Sequence, residues 1–87
     1  MKNFTELIEL LRAERPSSSP SQLARIVVRE ANVEVGQFYL INVFDEAFPE
    51  IPFRDMIRAS RWHQVCKNGI SDAEFDAMLS PWFNNDD

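Results

Sequence analysis

Arg54, Arg58 and Arg61 follow one another at i, i+4 and i+7, the spacing that gathers side chains on one face of a helix. A guanidinium group is planar and permanently charged, matches both oxygens of a carboxylate and stacks on aromatic rings, so the chemistry open to this stripe is recognition of acidic groups. Asp55 is the only acid nearby in the same helix, whereas Ser71 to Asp87 carries five acids and no base. A two-signed surface of this kind is expected to meet another protein, or a second copy of the chain, through opposite charges. Arg54, Arg58 and Arg61 are the basic side of that expectation, and Asp72 and Asp76 the acidic side. A solvated arginine face with no partner is the plainer reading. Trp62 adjoins the stripe, and Trp82 follows Pro81 beside the acidic end. Tryptophan and arginine are together enriched at binding hot spots, although in so small a domain a tryptophan also serves to close the edge of the core.

His63 and Cys66 lie three residues apart and would share a face of a continuous helix, which invites a thiolate with a general base. Such a nucleophile also needs an orienting group and oxyanion donors, and no glycine-rich turn or helix start adjoins the pair. A half-buried thiol and a surface imidazole are therefore expected. Zinc requires three or four ligands, and the chain has no other His or Cys. Carboxylates pair at Asp45 with Glu46 and at Asp72 with Asp76, but general acid work needs an apolar cleft to raise one pKa. Asp72 and Glu74 instead suit the first turn of a helix, where the macrodipole favours negative charge. No catalytic, cofactor-binding or metal-binding residue is assigned, and no enzymatic activity is expected.

Helices must position these groups. Phe4, Leu7, Ile8 and Leu11 set an amphipathic helix that ends near Arg15, where Pro16-Ser17-Ser18-Ser19-Pro20 breaks the pattern. Ser19 as cap, Pro20 in the first position and Gln22 three residues after the cap predict a second helix. It carries Leu23, Ala24, Ile26, Val27, Val28 and Ala31 inward, keeps Arg25, Arg29 and Glu30 wet, and stops near Asn32. The segment from about Val35 to Phe48 is apolar on most sides and predicts the central, most buried helix. Pro49 and Pro52 bracket a corner. A fourth helix is expected from Pro52 or Phe53 to about Val65, with Phe53, Met56, Ile57 and Ser60 facing inward. Lys67-Asn68-Gly69 terminates it, with Asn68 or Gly69 taking the left-handed conformation. Ser71-Asp72-Ala73-Glu74 is a capping box that opens a last helix, with Phe75, Met78 and Leu79 on one face and Pro81 as its limit.

These elements make an all-α chain, a compact bundle of five or six short helices over residues 1–83, with 84–87 as a frayed acidic tail. With 45% hydrophobic and 11% aromatic residues, including seven Phe and two Trp, 87 residues can form one packed core without a disulfide or a metal. A net charge of -5 opposes binding to nucleic-acid phosphates. Cys66 is alone, so no internal disulfide forms, and a free thiol is most easily kept reduced in a cytosol. The N-terminus runs through Glu6 and Glu9 without the apolar stretch of a signal peptide. The longest apolar-rich stretch, Val35 to Phe44, falls far short of a membrane span. A soluble, cytoplasmic protein with no nucleic-acid or membrane partner is expected.

From Phe44 onward the chain resembles the C-terminal pattern of small, mostly uncharacterised bacterial helical proteins. The shared features are F-x-x-A-F at Phe44, Ala47 and Phe48, a tryptophan at Trp62, and S-D-x-E-F from Ser71 to Phe75. The resemblance covers under half of the chain and implies a bacterial origin rather than a function. By analogy of size and charge alone, death-fold modules, which assemble through opposed basic and acidic faces, and acidic immunity proteins, which block a toxin's active site, have a similar character. The expectation is a non-enzymatic adaptor or assembly domain that sets the basic face of helix four against acidic surfaces. The alternative is an acidic inhibitor of a toxin or nuclease, in which Asp72, Asp76 and the tail carry the contact, and a distant third is an enzyme resting on His63 and Cys66 alone.

Overall fold

Reciprocal caps start three of the helices. At α1 (Phe4–Glu14) the Asn3 side chain accepts from the Glu6 amide and the Glu6 carboxylate accepts from the Asn3 amide, both at 2.9 Å. Ser19 and Gln22 repeat the exchange at α2 (Pro20–Glu30), with Pro20 in the first turn, where its missing N–H costs nothing. Ser71 and Glu74 repeat it at α5 (Asp72–Phe83). The remaining helices, α3 (Gln37–Ala47) and α4 (Phe53–Ala59), start without a side-chain cap, α4 directly after Pro52. A 3-10 turn at Arg15–Ser17 joins α1 to α2. The computed structural model describes residues 1–83, so the acidic tail at 84–87 lies outside the described residues. Among the described residues the chain is an all-α bundle of five helices without strands.

The helices close a ring of contacts in which α1 packs on α3, α3 on α4, α4 on α5, α5 on α2 and α2 on α1, with α2 also touching α3. Phe44 occupies the middle, edge-to-face with Phe48 at 5.3 Å and with Phe75 at 6.2 Å. Leu7, Leu11, Leu23, Leu40, Met56 and Leu79 complete a continuous buried cluster around it. The Cα radius of gyration, 11.7 Å, matches the about 12 Å expected of a packed chain of this length. No helix among the described residues is long and apolar enough to cross a membrane.

Three expectations are corrected. Helix four ends at Ala59 and not near Val65. Continued as a helix, the chain would place Trp62 about 120° around the axis from the buried Met56. Leaving the helix at Ser60 instead lets Trp62 enter the core with no exposed surface. The backbone then closes a loop in which His63 donates to the Ile70 carbonyl at 2.9 Å and Ile70 donates to the Arg61 carbonyl at 2.8 Å. Asn68 supplies its left-handed residue, at φ 60°. Gly69 allows the close approach, because a Cβ there would lie 2.0 Å from the Arg61 carbonyl oxygen.

The second correction concerns faces. Phe53 and Ile57 do not point inward; they are 56% and 46% exposed, and within α4 Met56 and Ala59 are the buried residues, followed by Ser60 at its end. Phe38, at the start of the otherwise buried α3, is 82% exposed, and Met78 lies outside the core that holds Phe75 and Leu79. The third is Pro81, which sits inside α5 rather than ending it. Proline cannot donate to the carbonyl four residues back, here Ala77, and the Ser80 hydroxyl donates to that oxygen at 3.2 Å in its place.

Candidate functional site

The arginines of the N-terminal half are engaged within the protein. Arg12 reaches the C-terminus of α3, where its Nε donates to the Ala47 carbonyl at 3.3 Å and its Nη2 to the Glu46 carbonyl at 2.8 Å. These are among the carbonyls a helix end leaves without partners, and a cation there also suits the macrodipole. Arg15 lies 5.0 Å from the ring centres of both Phe48 and Phe83, donates to the Trp82 carbonyl and pairs with Glu50. Trp82 itself is partly buried against the core. Arg29 pairs with its neighbour Glu30.

Arg25 belongs to a cluster built on Asp72. The α5 cap places Asp72 where Arg25 Nη2 donates to Oδ2 at 2.6 Å and Trp62 Nε1 donates to Oδ1 at 2.7 Å. His63 Nε2 lies 3.0 Å from the same Oδ1. The Arg25 guanidinium also covers the Trp62 ring at 5.6 Å. The Arg25 hydrogen bond, followed by that of Trp62, holds the Asp72 carboxyl down from 3.8 to about 2. One turn further on, Asp76 accepts from the Ser21 amide at 2.7 Å and from its hydroxyl at 3.0 Å, satisfying an amide in the first turn of α2. Asp72 and Asp76 therefore meet α2 and the Trp62 loop of their own chain, and neither makes an ion pair with Arg54, Arg58 or Arg61. Trp62 takes the core position, so its ring offers no surface to a partner.

Arg54, Arg58 and Arg61 are different. All three are exposed, and none makes an ion pair or side-chain hydrogen bond among the described residues. The expected single helical face holds only in part, because α4 carries Arg54 and Arg58 while Arg61 lies just past its end. Arg61 stays close, its amide donating to the Arg58 carbonyl. It also lines a groove between α3 and α4 of about 490 Å³ whose apolar lining is Phe38, Ile41, Phe53 and Ile57. Arg58 faces the other side of α4, in a smaller cleft of about 220 Å³ with Asp55 and Met78.

His63 and Cys66 do not form a pair. His63 turns to Asp72 and Gln64, whereas the Cys66 sulfur faces the Lys67 carbonyl and lines the α3–α4 groove. No group of three or more His, Cys, Asp or Glu side chains among the described residues is placed to hold a metal. The groove itself escapes sequence reasoning, which places Phe53, Ile57 and Phe38 in the core. The signal for it was the row Phe53-Arg54 and Ile57-Arg58, where an apolar residue is twice followed by arginine. No family model, curated protein or solved structure matches this chain.

Proposed function

We propose that the protein is a non-enzymatic, cytosolic interaction module, an adaptor or assembly domain that presents the α4 face to acidic protein surfaces. The observation that supports this reading is the state of the arginines. In a chain of net charge -5, Arg54, Arg58 and Arg61 have no carboxylate of their own within ion-pair distance among the described residues, while Arg15, Arg25 and Arg29 each have one. They adjoin exposed Phe53 and Ile57, and apolar surface next to guanidinium groups is the composition that desolvates well against a partner. The inhibitor alternative relies on Asp72 and Asp76, whose oxygens are already occupied within the fold.

The test compares wild type with Arg58→Glu, measuring mass by light scattering at low and high salt and the proteins retained from the native cell. Association that weakens with salt and with Arg58→Glu, at unchanged thermal stability, is the expected result. Association indifferent to both overturns the proposal.

A further inference from the structure

Granted that the α4 face is the contact surface, we infer that the α3–α4 groove takes an acidic amphipathic helix of a partner protein. The groove encloses about 490 Å³ between α3 and α4. Its apolar walls come from two helices, with Phe38 and Ile41 on α3 and Phe53 and Ile57 on α4. Phe38, 82% exposed, is the kind of anchor that the protein's own core leaves unused.

The backbone decides between a helical and an extended occupant. Residues lining the groove from α3 and α4 already spend their amides and carbonyls inside helices, so no sheet edge is available to an extended segment. An extended peptide would bury its own N–H and C=O groups without partners there, whereas a helix satisfies them internally and needs only side-chain contacts. Matching anchors recur on such a helix at i, i+3, i+4 and i+7.

The charge follows from what borders the apolar lining. Arg61 lies in the groove wall, and Arg54 directly follows Phe53, about 100° further around α4, whereas Arg58 faces the cleft on the other side. A carboxylate beside the partner's apolar stripe would meet Arg61, and one at the α4 edge would meet Arg54. A basic or neutral helix would leave these guanidinium groups without counter-charges at a partly dehydrated rim.

The test is selection of a random 16-residue phage-displayed peptide library on the full chain, followed by affinity measurement of synthesised winners on variants. The expected winners carry apolar residues at i, i+3 or i+4, and i+7, with Asp or Glu beside them. Their binding is expected to weaken about tenfold or more in Arg61→Glu and in Ile57→Ser, and to stay unchanged in Arg29→Glu, an equal charge change on α2. Circular dichroism on each variant separates lost binding from lost folding. Winners that need the arginines but show no helical apolar spacing overturn the helix and leave the α4 contact surface standing. Winners indifferent to Arg61→Glu and to Ile57→Ser overturn both. A concentration-dependent dimer of the chain alone that Ile57→Ser dissociates assigns the groove to a second copy and overturns the partner helix.

Discussion

Arginines from the two halves of this chain have opposite fates. Arg12, Arg15 and Arg25 turn back onto carbonyls, phenyl rings and carboxylates of their own fold, while Arg54, Arg58 and Arg61 are exposed and make no side-chain hydrogen bond or ion pair among the described residues. Residue type does not separate the two sets. What separates them is what lies within a side chain's reach: the C-terminus of α3 beside Arg12, two aromatic rings beside Arg15, and the capped first turn of α5 beside Arg25. The short α4 buries Met56 and Ala59 and presents its arginines on the side remote from that contact. Arg12, Arg15 and Arg25 thus serve the fold, while Arg54, Arg58 and Arg61 stay exposed without a side-chain partner among the described residues.

Several substitutions sharpen or break that division. The largest loss is expected from Trp62→Ala, about 3–5 kcal/mol in urea unfolding, because it removes the largest fully buried side chain and the ring that Arg25 covers. Arg15→Ala should cost about 2 kcal/mol through two lost cation–π contacts and a lost hydrogen bond to the Trp82 carbonyl. A neutral result there would place Arg15 with the α4 arginines and dissolve the contrast.

Asp72→Asn is expected to cost about 1–2 kcal/mol near neutral pH and to show its effect through acid. The Asp72 carboxyl has a folded pKa lowered to about 2 from 3.8, so its stabilisation is fully present above pH 4 and disappears as pH falls towards 2. The gap between wild type and Asp72→Asn in the urea midpoint should therefore close across that window. A gap independent of pH would remove the charge from the explanation. The smallest effect on stability belongs to Arg58→Glu, within about 0.5 kcal/mol, since the side chain touches no acceptor.

Much of the fold was legible because its signals are local. Ser19-Pro20 with Gln22, and Ser71 with Glu74, state their helix starts in four residues, and the structure has both caps. The Asn3 and Glu6 cap has the same form and can be read in the same way. The end of α4 was not legible, because the helical pattern of Arg54, Arg58 and Arg61 continues past the point where the chain turns. What stops the helix is tertiary: Trp62 gains burial, and the 61–70 loop closes through Ile70 and Gly69. The Asp72 cluster was hidden for the same reason, since Arg25 and Asp72 are 47 positions apart and no local spacing links them. Asp72 and Asp76 read as surface acids, and the structure gives each a partner on α2.

The division between structural and contact arginines is tested most directly by neutralising the second set together. Arg54→Gln, Arg58→Gln and Arg61→Gln in one chain remove the stripe, and melting temperature and partner association are then measured on the same preparation. The expected result is a melting temperature within about 4 °C of wild type with association lost. A lowered melting temperature with association intact would make these arginines part of the fold and contradict the account.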